Sequence, residues 1–352
     1  MKVLTVVGAR PQFIKAAPVS RALAAAGIAE ILVHTGQHFD PEMSDVFFTE
    51  LGIPAPAINL GIHGERHGAM VGRMLEGLEA AMLEQHPDWV VVYGDTNSTL
   101  AGALAAAKLD VPVAHVEAGM RSYDRRMPEE TNRVLADHVS RLLLCATETA
   151  VANLTKEGIV AGVHHVGDVM YDAALFAAEA ARSSTVLDRL LLTDGSYDLA
   201  TLHRAENTDD PERLAALMAW LEEQSRTRPV VMPLHPRTAA VLKRHGIEAR
   251  GLMLCSPLSY LDLTRLLAGA VSVFTDSGGL QKEAYFQRKP CVTLREETEW
   301  VETIQCGWNR LWRGGPYAPR REIADYGDGH AAEKIAALLI READQDARRR
   351  NT

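Results

Sequence analysis

Near its start the chain reads Val3-Leu4-Thr5-Val6-Val7-Gly8-Ala9-Arg10-Pro11-Gln12-Phe13-Ile14-Lys15, a short apolar run that meets a glycine and then a helix start. The apolar and β-branched residues predict a buried strand, the glycine predicts a tight turn, and proline is favoured in the first turn of a helix. A strand followed at once by a helix is the repeating unit of a parallel sheet. The stretch therefore predicts an α/β fold.

The same alternation recurs in two series along the chain. Strands are predicted at residues 3–7, 31–34, 89–93, 113–116 and 142–146, and again at 199–202, 229–234, 252–254, 271–275 and 290–294. We expect two doubly wound, Rossmann-like domains, residues 1–170 and 171–352, facing each other across a cleft with ligands at the carboxyl ends of the strands. An amphipathic helix is predicted over residues 329–344, a candidate to pack back on the first domain, and residues 345–352 are predicted to be frayed.

Composition excludes several classes of protein. With 47% hydrophobic and 24% charged residues, the 352-residue chain is expected to be globular rather than disordered or fibrous. The net charge of −9 argues against a broad nucleic-acid or anionic-membrane surface. The cysteines show no C-x-x-C spacing, and no signal-like or membrane-spanning apolar stretch is present, so a cytoplasmic protein is expected.

Charged side chains follow the predicted strands of the first half. Arg10 and Lys15 flank a helix start, which suits a phosphate or a leaving diphosphate, although solvated cations beside a tight turn are the plainer alternative. Asp95 and Glu117 end two strands that we expect to be adjacent, about 5 Å apart, so their carboxylates should be neighbours. A helix N-cap is an equally good explanation of Asp95.

A further acidic pair, Glu129 and Glu130, follows Pro128 at a predicted helix start. Carboxylates in the first turn of a helix have a structural reason to be there. Like charges gathered in one site also raise at least one pKa, which makes a carboxylate a usable acid or base near neutral pH. The carboxylate set therefore predicts general acid–base chemistry.

The second half offers an anion site. His203 and Arg204 end one predicted strand, His235 ends the next, and two such clusters favour a diphosphate, although any single histidine is more often structural. After a further strand, Ser277-Gly278-Gly279 exposes backbone N–H groups at a helix start, as a phosphate cradle does. Glu283 follows about one turn later, where a carboxylate can bind two ribose hydroxyls.

Several catalytic motifs are absent from the sequence. G-x-x-x-x-G-K-[ST], H-E-x-x-H, G-x-S-x-G and G-x-G-x-x-G do not occur, which argues against a P-loop kinase, a zincin, an α/β-hydrolase and a dinucleotide-binding enzyme. His115-Val116-Glu117 matches half of a zinc deaminase signature whose P-C-x-x-C partner is missing. We predict no metal and no cofactor.

Taken together, these motifs resemble the non-hydrolysing UDP-N-acetylglucosamine 2-epimerase family over residues 1–340. The matching segments are Gly8-Ala9-Arg10-Pro11 with Lys15, Thr35-Gly36-Gln37-His38, Gly94-Asp95-Thr96, His115-Val116-Glu117-Ala118-Gly119-Met120-Arg121, Pro128-Glu129-Glu130-Thr131-Asn132-Arg133, His203-Arg204 and Asp276-Ser277-Gly278-Gly279.

The resemblance implies a GT-B fold and an isomerase. Its reaction eliminates UDP from the substrate, which leaves a 2-acetamidoglucal, and then adds UDP back with the configuration at C2 inverted. The resemblance also implies a homodimer and a role in cell-surface polysaccharide biosynthesis. The implied catalytic residues are Asp95, Glu117, Glu129 and His203. The implied or candidate UDP-sugar ligands are Arg10, Lys15, Arg133, Arg204, His235, Ser277, Gly278, Gly279 and Glu283.

Departures from the family pattern narrow the substrate. Gln12 replaces a usual glutamate, and Glu299-Trp300-Val301-Glu302 replaces a usual E-R-P-E, which is similar to the branch acting on UDP-2,3-diacetamido-2,3-dideoxyglucuronate. UDP-N-acetylglucosamine is the other substrate considered. An allosteric UDP-sugar site is implied by Gln37, His38 and Arg73, although Asp40 departs from its pattern. A hydrolysing epimerase and a GT-B glycosyltransferase remain alternatives, with a non-catalytic UDP-sugar sensor as a third.

Overall fold

A computed structural model describes residues 1–37 and 52–350 of the chain. The described residues form two compact units, each built around a parallel sheet. The first unit comprises residues 1–173 and 324–352, and the second comprises residues 174–323. The boundary between them falls inside the helix Val169–Ala180.

The first unit carries a seven-stranded parallel sheet in the order β3-β2-β1-β4-β5-β6-β7. Its strands are β1 (Lys2–Val7), β2 (Ala29–His34), β3 (Ile58–Asn59), β4 (Trp89–Tyr93), β5 (Val113–Val116), β6 (Leu142–Cys145) and β7 (Val163–His165). Its helices are α1 (Arg10–Ala25), α2 (His67–Gln85), α3 (Asn97–Lys108), α4 (Pro128–Val139), α5 (Glu148–Lys156) and α6 (Val169–Ala180), the last shared with the second unit.

The second unit repeats the plan with six parallel strands in the order β10-β9-β8-β11-β12-β13. These strands are β8 (Asp198–Thr201), β9 (Val230–Pro233), β10 (Leu252–Cys255), β11 (Val273–Thr275), β12 (Cys291–Thr293) and β13 (Asn309–Leu311). Its helices are α7 (Val186–Arg189), α8 (Ala205–Thr208), α9 (Pro211–Ser225), α10 (Pro236–His245), α11 (Tyr260–Gly269), α12 (Gly278–Phe286) and α13 (Val301–Gln305), with a 3-10 turn at Ala181–Ser183.

Both sheets confirm the predicted doubly wound α/β class, and every predicted strand is present. In each sheet the strand order reverses beside the first strand of the series, between β1 and β4 and between β8 and β11. Ligands of such sheets bind outside the carboxyl ends of the strands at this reversal. The edge strands β3, β7 and β13 could not be predicted, because each is two or three residues long and contains polar residues, so none shows an apolar run.

Close packing of small residues brings a helix against the first sheet. The alanines of α3 at positions 101, 103, 105 and 106 are fully buried. A Cβ added at Gly102 would lie 3.0 Å from Val92 Cγ1 and 3.2 Å from Val6 Cγ2, so the backbone of α3 almost touches the sheet. The N-terminus of α3 is thereby held beside the carboxyl end of β4.

The C-terminal segment belongs to the first unit. Its helix, α14 (Ala331–Arg350), is bonded to α6 near its first residue, where the Asp172 carboxylate accepts a 2.7 Å hydrogen bond from Ala332 N. The predicted fraying from residue 345 is wrong, because Arg141 at the start of β6 pairs with Asp346 at 2.5 Å and with Glu342 at 3.3 Å. The tail is therefore helical through Arg350.

Among residues 1–37 and 52–350, no helix combines the length and the apolar character needed to cross a bilayer. The four cysteines are free thiols.

Candidate active site

The turns after β1, β4 and β5 bring together charged residues of the first unit. Lys15 lies one and a half turns into α1, Asp95 follows Gly94 after β4, and Glu117 follows β5 directly. These strands are neighbours at the point where the strand order reverses. The sheet topology thus places the predicted carboxylates together at the carboxyl ends of neighbouring inner strands.

Lys15 and Glu117 form a partly buried ion pair. The Lys15 Nζ donates to Glu117 Oε2, and the two side chains are only 13% and 12% exposed. Burial lowers the pKa of Lys15, but the charge and hydrogen bond of Glu117 outweigh it and leave that pKa raised. Glu117 also has a left-handed backbone, φ 69°, which is unfavourable for a residue with a side chain. Such strain is characteristic of functional positions.

Gly94 makes room for this ion pair. It adopts φ 62°, and a Cβ there would lie 3.2 Å from Glu117 Oε2 and 3.4 Å from Lys15 Nζ. Any side chain at position 94 would meet the ion pair as well as the backbone strain.

Asp95 is held from helix α4. Arg133 Nη2 donates to Asp95 Oδ2, and Arg133 Nη1 also lies 3.2 Å from Glu130 Oε2. Asn132 Nδ2 donates to the Asp95 carbonyl at 3.0 Å. Burial raises the pKa of Asp95 above its ordinary value, and the charges of Arg133 and Lys15 only partly reverse this. A carboxyl group with a raised pKa is suited to carry a proton near neutral pH.

Asp95 and Glu117 therefore stand in different environments. Asp95 has a raised pKa, whereas Glu117 is paired with the Lys15 ammonium. Their charges also interact, since Glu117 contributes to the raised pKa of Asp95. Two carboxyl groups with different environments are the usual arrangement of an acid and a base in one site.

The two glutamates at the start of α4 differ in burial and in their hydrogen bonds. Glu130 is buried and accepts hydrogen bonds of 2.9 Å from Ser122 N, Ser122 Oγ and Tyr123 N, which makes it a loop anchor. Burial raises the pKa of Glu130, but these bonds and the charge of Arg133 bring it below its ordinary value. The Glu129 side chain is exposed and makes no ion pair or hydrogen bond with any other described residue. Its carboxylate is open to a ligand.

In the second unit, His203 is oriented by Asp276. Its ring Nδ1 lies 3.2 Å from Asp276 Oδ1, and its backbone N–H donates to Asp276 Oδ2 at 2.9 Å. The same Oδ2 accepts from Arg204 N at 2.8 Å and from Asn207 Nδ2 at 3.1 Å. Burial raises the pKa of Asp276, but His203 and the backbone donors outweigh it and leave the pKa lowered.

The other predicted cations of the second unit lie beside His203. The rings of His203 and His235 are 5.8 Å apart between centroids. His235 caps helix α10, its Nδ1 accepting from Arg237 N at 3.2 Å, so a neutral ring carries its proton on Nε2. Arg204 Nη2 lies 3.6 Å from Glu299 Oε1. The cluster presents N–H donors suited to phosphate oxygens.

Ser277 and the two glycines form the start of α12. Ser277 caps the helix, its Oγ accepting from Leu280 N at 3.4 Å. A Cβ at Gly278 would lie 2.8 Å from Glu299 Oε1, whereas at Gly279 the nearest atom would be 4.0 Å away. A side chain at Gly278 would therefore displace the Glu299 carboxylate, and Gly279 leaves open space beside the helix N-terminus.

Glu283 lies on α12 but is mostly buried, with 7% of its surface exposed. Tyr260 Oη is 3.3 Å from its Oε1, so at least one oxygen already has a partner within the unit.

The candidate allosteric residues are not brought together by the described contacts. Gln37 Oε1 accepts from Ser98 N at 3.1 Å and from Ser98 Oγ at 2.8 Å, at the start of α3. Arg73 is largely exposed and pairs with Glu65 at 2.5 Å. His38 lies outside the described residues.

The predicted UDP-sugar ligand Arg10 is the first residue of α1.

The structural roles of two buried residues of these sites could not be predicted from the sequence. Gln12 Oε1 accepts from Gly8 N at 2.8 Å and Ala9 N at 3.0 Å, while its Nε2 donates to Tyr93 O at 2.9 Å and Thr99 Oγ1 at 3.0 Å. An ionised glutamate could not donate the last two bonds, which explains the departure at this position. Asp276 was the other, although an aspartate directly after an apolar strand is a usable signal.

No group of three or more His, Cys, Asp or Glu side chains in the described part of the chain is arranged to hold a metal ion.

The chain is similar to known proteins over nearly its whole length. A family model described as UDP-N-acetylglucosamine 2-epimerase matches residues 21–340. The UDP-2,3-diacetamido-2,3-dideoxy-D-glucuronate 2-epimerase of Pseudomonas aeruginosa is 50% identical, over 97% of this chain and 100% of that protein. A UDP-N-acetylglucosamine 2-epimerase of Methanocaldococcus jannaschii is 42% identical, over 88% of each protein.

Solved structures agree with the fold. The crystal structure of Methanocaldococcus jannaschii UDP-GlcNAc 2-epimerase in complex with UDP-GlcNAc and UDP matches with a TM-score of 0.84 and 38% identity, over 97% of this chain and 99% of that one. The UDP-GlcNAc 2-epimerase of Neisseria meningitidis bound to UDP-GlcNAc matches with a TM-score of 0.85 and 29% identity, over 97% and 100%.

Proposed function

Because the chain belongs to the UDP-N-acetylglucosamine 2-epimerase family, and so is an isomerase of UDP-sugars, we propose that it inverts C2 of UDP-2,3-diacetamido-2,3-dideoxyglucuronate to give the manno epimer. The observation that carries this choice of substrate is the 50% identity with the Pseudomonas aeruginosa enzyme of that name, end to end. UDP-N-acetylglucosamine is the second candidate, favoured by the 42% identical relative of that activity.

The chemistry of the substrate sets the mechanism. C2–H of an acetamido sugar has no adjacent carbonyl, so direct removal of its proton would leave an unstabilised carbanion. In the proposed route the C1–O bond to UDP breaks and its electron pair leaves with the diphosphate, while a carboxylate takes the C2 proton. The products of this step are a 2-acetamidoglucal and UDP.

Return follows on the opposite face of the sugar. An acid delivers a proton to C2 from that face, and a diphosphate oxygen of UDP re-forms the bond to C1. Two faces need two proton carriers, which the proposal draws from Asp95, Glu117 and Glu129. The raised pKa of Asp95, the strained backbone of Glu117 and the exposed carboxylate of Glu129 support this set.

Cations and backbone donors bind the nucleotide in this proposal. The N–H donors of His203, Arg204 and His235 and the helix start at Ser277, Gly278 and Gly279 would stabilise the charge of the leaving diphosphate. Arg10, Lys15 and Arg133 would act on the substrate in the first unit. Glu283 is assigned to the ribose hydroxyls.

Run in D₂O, the reaction is expected to place deuterium at C2 of the product, because the group that delivers the new proton is not the one that removed the old one. UDP should stay attached to the product, with traces of glycal and free UDP. ¹H NMR of the product measures both. Full retention of the original hydrogen would contradict the elimination route, and release of free sugar would establish the hydrolysing alternative.

Substrate choice is tested by supplying the purified chain separately with the diacetamido uronate nucleotide and with UDP-N-acetylglucosamine. We expect kcat/KM for the uronate to be at least 10-fold higher, a ratio that corresponds to about 1.4 kcal/mol of transition-state discrimination. Faster epimerisation of UDP-N-acetylglucosamine would reverse the assignment. Transfer of the sugar to an added acceptor, with no change at C2 of the donor, would instead show a glycosyltransferase.

A homodimer and a place in cell-surface polysaccharide biosynthesis complete the proposal. Sedimentation of the purified chain tests the first, since a monomer across the micromolar range would contradict it. The second follows from the chemistry, because a manno-configured amino-sugar nucleotide is a donor for polymerising glycosyltransferases.

A further inference from the structure

His115, in strand β5, has both ring nitrogens bound inside the first unit. The side chain is completely buried. Its Nδ1 lies 2.7 Å from Asp137 Oδ1, and its Nε2 lies 2.7 Å from the carbonyl oxygen of Gly94. A carbonyl oxygen cannot donate a hydrogen bond, and neither can an ionised carboxylate. A neutral imidazole carries one N–H, so only an imidazolium can donate both bonds if Asp137 is ionised.

The surroundings of Asp137 favour the ionised carboxylate. Its second oxygen accepts from Gly119 N at 3.1 Å and from Arg121 Nη1 at 2.7 Å. Burial raises the pKa of Asp137, but His115 and Arg121 outweigh it and leave the pKa lowered. The Arg121 guanidinium also donates to the Met120 carbonyl at 2.7 Å and to Glu157 through two bonds of 2.7 Å. The two cations and two carboxylates balance in charge.

These contacts connect the turns that carry the proposed proton carriers. Gly94, whose carbonyl His115 binds, directly precedes Asp95. Gly119, whose N–H Asp137 binds, lies two residues after Glu117, which has φ 69°. A left-handed residue with a side chain persists only where its neighbours hold it. The His115–Asp137 pair thus fixes the backbone on both sides of the carboxylate site.

Two carboxylates and a backbone carbonyl face His115, and all three favour the protonated ring. Asp137 faces it from α4, the Gly94 carbonyl from the end of β4, and Glu117 from the end of its own strand. Burial lowers the pKa of His115, but these groups outweigh it and leave the pKa raised.

We infer that His115 is a permanently protonated positioning residue, which holds the turns bearing Asp95 and Glu117 in the geometry needed for proton transfer at C2. The kinetic part of this inference rests on the proposed function. The plainer alternative is a neutral pair, in which a protonated Asp137 donates to Nδ1 and the ring is ordinary core.

The protonation state is measured by ¹⁵N NMR on the full chain labelled at histidine. The signals that disappear in His115→Gln belong to His115. We expect both of its ring nitrogens to show directly bonded protons at pH 7 to 8, well above the ordinary histidine pKa of about 6.5. One nitrogen without a proton at pH 7 would overturn the inference. This readout does not depend on which reaction the enzyme catalyses.

The positioning role is measured by kinetics of His115→Gln, in which the glutamine amide can donate toward only one partner at a time. We expect kcat to fall about 10²-fold, the cost of a misplaced catalytic group, with KM and UDP affinity unchanged. The matched control is His138→Gln, an exposed histidine next to Asp137 on helix α4, which should keep the activity of the unaltered enzyme.

A folded His115→Gln with kcat within twofold of the unaltered enzyme would overturn the positioning role. If His115→Gln fails to fold, the ring signals are assigned instead in the unaltered chain, through their bonds to the His115 backbone, and the NMR measurement still decides the charge. Absence of epimerase activity in the unaltered chain would count against the proposed function and leave the NMR measurement standing.

Discussion

Glu117→Gln is expected to lower kcat by about 10²- to 10⁴-fold, the usual contribution of a positioned acid or base. The amide keeps the shape of the carboxylate but cannot take a proton from C2. UDP affinity should change little, because the proposed nucleotide ligands lie mainly in the second unit. The measurements are initial rates of epimerisation by NMR and UDP titration by calorimetry.

The ion pair with Lys15 needs its own control, since Glu117→Gln also leaves a buried ammonium without its counter-ion. The double variant Lys15→Met, Glu117→Gln removes that charge. If activity returned in the double variant, Glu117 would be a counter-ion rather than a proton carrier. Glu84→Gln, an exposed carboxylate on α2, is the matched substitution and should be neutral.

Asp276→Asn is expected to destabilise the second unit by about 3 kcal/mol at pH 7, because the donors that converge on this buried carboxylate would meet a neutral acceptor, and an amide NH₂ would replace its second oxygen. Four of the five tryptophans, Trp220, Trp300, Trp308 and Trp312, lie in this unit, so intrinsic fluorescence during urea unfolding reports chiefly on it. Activity should fall as well, since Asp276 orients His203 and the Arg204 backbone.

The effect has a defined pH dependence. The pKa of Asp276 is lowered in the folded protein, so its contribution to stability is fully present above the unfolded value of about 3.9 and is lost as pH falls through the folded pKa. The difference between Asp276→Asn and the unaltered chain should therefore be present from pH 7 to 5 and shrink below about pH 4.

Two results would contradict this account of Asp276: a difference in the free energy of unfolding that is the same at pH 3 and pH 7, or one below about 1 kcal/mol at neutral pH. The matched control is Asp209→Asn, whose largely exposed carboxylate pairs with Arg237 at the surface. Exposed pairs of this kind contribute about 0–1 kcal/mol.

The predicted carboxylates illustrate how far sequence analysis reaches. Asp95 and Glu117 could be placed side by side because strand order follows from the α/β pattern, and the structure puts both at the carboxyl ends of adjacent strands. The distinction between Glu129 and Glu130 could not be predicted, because both occupy the first turn of α4. Burial of one depends on where the loop at Ser122 and Tyr123 folds back.

Protonation states were also beyond the sequence. His115 stands in an apolar strand and would pass for a core histidine, since its partners Asp137 and Gly94 are 22 and 21 residues away. Only their convergence on both ring nitrogens indicates a charged ring. The helical state of residues 345–350 was likewise beyond the sequence, because it depends on an ion pair between Arg141 and Asp346, which are 205 residues apart in the chain.

By itself the sequence determined the α/β class, ten of the thirteen strands in the described part of the chain, the two-part organisation and the family, because apolar runs, turn glycines and polar strand ends are local features of the chain. The tertiary structure decided which carboxylate is buried, which ring is charged and which unit receives the last helix. Lys15 and Glu117 show the reason: they pair across 102 residues, and the energy of such a contact depends on distance, burial and neighbouring charges that exist only once the sheet is assembled.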